Sequence, residues 1–223
     1  MIAGKDRDVL PPPQQITPMP SSSRQVSGFT LIELMITLTI AAILLAIAVP
    51  SFSSVMQRAS VRGAADQLLS VWNLAHFEAV KRNQMVKVGI KTDASGAFCI
   101  GAATTTDASD TTVCDCLSAA PVSNVCDVTR YPSAQGEWKK VSLAGVTIGG
   151  TTALISAQPV VIEPKRTSLT EPADKGTISL VSPPGPNFYK LNLSIDQLGH
   201  GVLCESKTAT NKLPEYNNRR CVD

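Results

Sequence analysis

The chain has 223 residues, a formal net charge of +2 and 17% charged residues. No strong field surrounds such a protein, so a nucleic-acid or acidic-substrate partner would have to be held by a local site. Hydrophobic residues make up 43% and aromatics 4%, which predicts one compact unit with a Val, Ile, Leu and Ala core, plus one long aliphatic segment.

In chain order, residues 1–28 are polar and Pro/Ser-rich, with Lys5, Arg7 and Arg24. They lack the apolar stretch and A-x-A site of a secretory signal, and their basic residues favour the cytoplasmic side. From Phe29 to Val49 the sequence reads FTLIELMITLTIAAILLAIAV. At about 1.5 Å per residue this gives roughly 30 Å of helix, the thickness of a bilayer core. One carboxylate, Glu33, interrupts the run, and an unpaired charge there costs about 2.5 to 3.5 kcal/mol unless it snorkels or finds a partner.

The stretch Gly28-Phe29-Thr30-Leu31-Ile32-Glu33 resembles the type IV prepilin signature. The resemblance implies cleavage by a prepilin peptidase after Gly28, methylation of the new Phe29 amine, and a Glu33 carboxylate that meets the Phe29 amine of a neighbouring subunit. It also implies other pilins as partners and a single-pass protein of the inner membrane with a periplasmic head, later a subunit of a filament. A buried carboxylate is tolerated in hydrocarbon when it meets an ammonium, which makes such a pair a register device.

Pro50 removes a backbone donor and is expected to kink or loosen the helix. Over residues 51–83 an amphipathic continuation is expected. Val61, Ala65, Leu68, Trp72, Ala75 and Ala79 recur at three- and four-residue spacing, and Arg58, Arg62, Asp66 and Asn73 fall largely elsewhere. Trp72 reads as core. His76 reads as a surface or capping histidine, because no Asp, Ser or Cys follows at a useful catalytic spacing.

Residues 84–223 are expected to form a β-rich head with strands at Met85–Ile90, Val141–Ile148, Val160–Ile162, Thr177–Val181, Tyr189–Ile195 and Gly201–Cys204, each bounded by Gly, Pro, Ser or Asp. Ala102–Thr112 lacks periodicity and reads as an exposed loop. The predicted fold is therefore α+β: a long N-terminal transmembrane and amphipathic helix packed on an antiparallel β-rich globular head. This arrangement, with a late Leu198-Gly199 turn, resembles the FimT and pseudopilin H family of minor pilins. Its DNA-binding members carry a late Gly-Arg-x-Arg motif whose guanidinium groups contact phosphates. Here the matching place reads Gly199-His200-Gly201-Val202, without either arginine, and His200 is a poor replacement for a permanent cation. Arg219 and Arg220, with Lys207 and Lys212 nearby in sequence, form a modest alternative patch diluted by Glu205, Glu215 and Asp223.

All six cysteines follow the aliphatic run, which points to an oxidising compartment. Cys204 and Cys221 bracket a polar tail, and their pairing would stabilise the fold by about 3 kcal/mol. Cys114 and Cys116 are too close along the chain for an easy mutual bridge, so pairing among Cys99, Cys114, Cys116 and Cys126 stays open. A four-thiolate zinc site lacks the usual knuckle spacing, so neither metal nor other cofactor is expected. Two histidines, no phosphate loop and no nucleophile elbow leave no catalytic inventory, and neither enzymatic activity nor a small-molecule substrate is expected. The residues fit a minor pilin that primes assembly or shapes the tip. The alternatives are a DNA-binding pilin for DNA uptake and a pseudopilin of type II secretion.

Overall fold

The computed structural model describes residues 28–118, 123–132, 140–148, 151–153, 158–165, 168–170, 175–182, 188–216, 219 and 221. The leader expected over residues 1–28 lies outside these, except for Gly28. The chain divides into two units, Met1–Ala46 and Ile47–Asp223. In the first, helix α1 (Leu31–Arg82) begins, and every described side chain from Leu31 to Ala48 is exposed. In the second unit, α1 continues to a defined stop. Asn83 takes the left-handed conformation (φ 51°), its N–H donates to Val80 O at 3.2 Å, and the Gln84 N–H donates to Ala79 O at 3.2 Å. These two bonds satisfy the last carbonyls in the Schellman pattern, while Lys81 and Arg82 complement the negative helix end.

Among the described residues nine strands follow: β1 (Met85–Thr92), β2 (Phe98–Thr105), β3 (Thr129–Tyr131), β4 (Ser142–Ile148), β5 (Thr151–Ala153), β6 (Val160–Ile162), β7 (Gly176–Val181), β8 (Lys190–Ile195) and β9 (Gly201–Glu205). They form a four-stranded sheet in the order β3-β2-β1-β6 and a five-stranded sheet in the order β5-β4-β7-β8-β9. Every strand pair is antiparallel. The α+β class is as the pattern of one long helix and many short strands predicts.

One hydrophobic cluster unites α1 with both sheets. Val61, Ala65, Leu68, Trp72, Ala75 and Ala79 are each at most 1% exposed, so the helical stripe read from the sequence is the buried face. Trp72 sits where the sheets converge: a cavity of about 10 Å³ is lined by Trp72, Val88 and Ile100 from one side and Val146, Ile178 and Ile195 from the other.

The expected loop at Ala102–Thr112 needs correction. Residues 102–105 complete β2, and Ala102 and Ala103 are buried. Strands β2, β3 and β5 all escape the sequence pattern. For β2 the reason is physical, because both of its faces are covered and apolar–polar alternation is lost. Val86, Val88, Ile90, Phe98, Ile100 and Ala102 face the core. On the opposite face the segment after β2 lies across the sheet. Lys87 Nζ donates to Asp110 Oδ2 at 2.7 Å and to Thr112 Oγ1 at 2.8 Å, and Lys91 Nζ donates to Asp115 Oδ1 at 2.9 Å. Two disulfides, Cys99–Cys116 and Cys114–Cys126, staple this layer.

Between the two lysines, the register partners Gly89 and Gly101 supply the clearance. A Cβ on Gly101 would lie 2.5 Å from the sulfurs of both Cys114 and Cys126, and one on Gly89 would lie 2.8 Å from Val113. Gly101→Ala is therefore expected to destabilise the Ile47–Asp223 unit by about 1 to 3 kcal/mol through overpacking, whereas Gly145→Ala, with nothing within 4 Å, should change stability little. Thermal unfolding followed by circular dichroism checks the pair, and equal midpoints for the two variants would refute the tight contact.

Candidate functional site

The first candidate features lie at the start of α1. Gly28 and Phe29 precede the helix and are exposed, Phe29 to 79%. Thr30 is the N-cap: its Oγ1 accepts from the Glu33 N–H at 3.2 Å, and its carbonyl accepts from the Leu34 N–H at 3.1 Å. Thr30 and Glu33 thus stand at the spacing of a capping box, and the carboxylate occupies the first turn, where the helix dipole favours negative charge. Among the described residues Glu33 makes no ion pair within the chain.

Around it Leu31, Ile32, Leu34, Met35, Ile36, Leu38, Ile40 and Ile43 are all more than half exposed. The two hydroxyls within the helix from Leu31 to Ala48 are satisfied locally. Thr37 Oγ1 donates to Leu34 O at 2.9 Å and Thr39 Oγ1 to Met35 O at 2.7 Å, so neither needs an outside partner in an apolar medium. Sequence reading overlooked these two bonds, although a Thr in the middle of an aliphatic helix is the signal for them. By length and composition α1 holds a segment able to cross a membrane. Helix α1 runs unbroken through Pro50; the Pro50 side chain, like those of residues 49 and 51, lies outside the described residues.

A second set of residues surrounds the turn between β8 and β9. Asp196 organises it: Oδ1 accepts from the Leu198 N–H at 2.9 Å and the His200 N–H at 2.8 Å, and Oδ2 lies 3.3 Å from His200 Nδ1. Gly199 has φ +80° and packs on α1, where a Cβ would come within 2.9 Å of His76 Cε1. Trp72 Nε1 donates to Gly199 O at 2.8 Å. Gly201 is equally constrained, because its Cβ would stand 2.9 Å from Trp72 Cδ1. The Gly-x-Gly spacing therefore seats the turn on the helix. His200 and Val202, at the places where the DNA-binding family motif has arginines, are both exposed.

His76 is neither a free surface residue nor a cap, which corrects the sequence reading. It is half-buried beneath the turn, its ring centroid lies 5.3 Å from that of Trp72, and its buried Nε2 has no hydrogen-bond partner among the described residues. Burial, followed by the charge of His200, pushes its pKa below the ordinary 6.5, while the Gly199 backbone and the Asp196 carboxylate oppose the shift.

All six cysteines are paired, the third bridge being Cys204–Cys221, so no thiolate remains for zinc. Among the described residues no group of three or more His, Cys, Asp or Glu could hold a metal. Arg219 is exposed and its N–H donates to Tyr216 O at 2.9 Å; Arg220 lies outside the described residues. Lys212 pairs with Glu205 at 3.9 Å, and Arg62 with Glu215 at 3.0 Å.

Residues 23–49 match the model of the prokaryotic N-terminal methylation motif. The chain thus carries a prepilin-type N-terminus on its apolar helix, the mark of a type IV pilin-like protein of pilus or secretion-system assembly. No curated protein matches the chain, and no solved structure matches it either.

The lowered pKa of His76 has a stability consequence. The unfolded chain takes up the proton first, so stability falls as pH drops from about 6.5 toward the lowered value and is unaffected above it. Thermal midpoints of the full chain in detergent at pH 7.5 and pH 5.5 should differ more for the wild type than for His76→Gln. Identical differences in the two proteins would remove His76 from the account.

Proposed function

We propose that this chain is a non-enzymatic minor pilin, cut between Gly28 and Phe29, methylated at Phe29, and carried into a type IV pilus by its aliphatic helix, where it primes assembly or shapes the tip. The observation that carries the reading is the coincidence of a prepilin-type motif at residues 23–49 with a helix apolar on every face and fully exposed from Leu31 to Ala48. A helix hydrophobic all round requires lipid or other helices around it. The inner membrane provides the first environment and the filament core the second.

Glu33 is the polar device in this transfer. In the first turn of the helix its charge is favoured by the dipole, and in the filament it meets the Phe29 ammonium of a neighbouring subunit. The pair fixes the register of one subunit against the next, since each partner left alone in hydrocarbon is penalised. Prepilin peptidase and other pilins are the partners this reading requires, and the disulfide-bonded unit works in the periplasm. A DNA-handling role is the second reading, favoured by the exposed Arg219 and opposed by His200 and Val202 in place of the family's arginines.

Two substitutions separate processing from assembly. Replacing Gly28 with Leu should leave the leader attached, so that intact mass matches the uncut chain. Glu33→Ala should be cut normally yet be at least tenfold depleted from sheared filaments in a quantitative immunoblot. Wild-type amounts of Glu33→Ala in filaments would defeat the register role.

A further inference from the structure

Residues 34–57 carry no charged side chain, and Arg58 ends this stretch as the first charge after Glu33. Along α1 the contour from Glu33 to Arg58 is roughly 37 Å at about 1.5 Å per residue. A bilayer measures about 30 Å across its hydrocarbon core and about 40 to 45 Å with its headgroup layers. With Glu33 at one boundary of the core, Arg58 falls at the depth of the opposite headgroups. The turns just before it are still apolar on the outside, where Phe52, Val55 and Met56 are exposed.

Arg58 is partly buried, and its guanidinium carbon lies 5.5 Å from the centroid of the Tyr189 ring. Tyr189 is buried in the core. Its N–H donates to Ser182 Oγ at 2.9 Å, and its carbonyl accepts from the Ser182 N–H at 3.0 Å. The cation is thus held against a fixed aromatic face. Nε is buried and has no hydrogen-bond partner among the described residues. The two terminal nitrogens make neither a hydrogen bond nor an ion pair among the described residues, and unlike Nε they are not buried, so they open outward.

Neighbouring carboxylates are engaged elsewhere. One turn on, Arg62 pairs with Glu215 at 3.0 Å, and Asp66 stands about 12 Å from Arg58 along the helix, within electrostatic reach of Tyr216. The undescribed positions 49–51, 183–187 and 217–218 include no Asp or Glu. An arginine partly removed from water and left without an anion needs one from outside the fold. Phosphate offers the paired oxygens that terminal guanidinium N–H groups match, and at headgroup depth the available phosphate is that of phospholipid. Arginine and tyrosine at the end of a spanning helix are the residues that anchor in this layer.

We propose that Arg58, backed by Tyr189, binds the phosphate of a phospholipid headgroup and so holds the Ile47–Asp223 unit at the membrane surface. This site rests on the reading of α1 as a membrane-crossing helix. The test is phosphorus dephasing of guanidinium carbon signals in solid-state NMR. The full chain, isotope-labelled at arginine Cζ, is reconstituted at low density in phosphatidylethanolamine/phosphatidylglycerol vesicles. Arg58→Lys keeps the charge and removes the labelled carbon, which assigns the signal, and Arg219→Lys serves as the comparison.

The expected result is a dephased component that is present in the wild type and in Arg219→Lys and absent from Arg58→Lys. In phosphorus-free galactolipid vesicles with inorganic phosphate added, that component should be at least fivefold weaker. Dephasing unchanged in Arg58→Lys, or equal dephasing by inorganic phosphate, overturns the proposal. Absence of dephasing does so too, and would leave the guanidinium to water or to a carboxylate of another subunit. Resistance to carbonate extraction is measured on the same vesicles. An extracted chain overturns the membrane reading and the site with it, whereas a retained chain without the Arg58 signal overturns the site alone.

Discussion

The first part of α1 obeys one constraint: from Leu31 to Ala48 there is no polar face to give to water. All these side chains are exposed, and the hydroxyls of Thr37 and Thr39 are folded back onto the helix. Only an apolar surrounding tolerates such a surface, so the segment is stable in lipid or among like helices. Everything polar at this end has a defined place under that constraint. Thr30 caps the helix, Glu33 sits in the first turn, and the proposed cut site precedes both. The same carboxylate is thereby compatible with the helix dipole in one setting and with the proposed ammonium partner in the other.

The second part of α1 solves a different problem, because it must support two sheets at once. Alanines at positions 65, 75 and 79 let strands come close, while Leu68 and Trp72 fill the centre. Trp72 also fixes the β8–β9 turn through its bond to Gly199, and Gly199 and Gly201 leave room for that approach. On the far side of the four-stranded sheet, hydrophobic packing gives way to ion pairs, one of them made by a buried lysine, and to disulfides. Lys87 is 6% exposed, and a lysine so deep is tolerated because Asp110 and Thr112 meet it. The neighbouring Asp115 carboxyl is held at about 2 by hydrogen bonds from Ser118 and Lys91.

Much of this was legible in the sequence, because helical periodicity over residues 61–79 reports burial directly and the Gly28–Glu33 stretch is compact. Strands with one solvated face, such as β7 and β8, announced themselves by alternation. Strand β2 did not, since Ala102, Ala103, Thr104 and Thr105 look like loop until the stapled segment covers their second face. The placement of His76 was hidden for a related reason. Its environment is made by Gly199 and His200, more than a hundred residues later, and no local pattern records such a contact. Disulfide partners were legible at Cys204 and Cys221, which close a single tail. Among Cys99, Cys114, Cys116 and Cys126 the choice depended on how the loop crosses β1 and β2, a matter of tertiary structure.

The most direct test of the central claim is the intact mass of the wild-type chain purified from membranes of cells that assemble type IV pili. The account predicts a polypeptide that begins at Phe29 and carries one added methyl group on its amine, located by fragmentation to the N-terminal residue. A chain retaining residues 1–28, or one cut elsewhere, would contradict it.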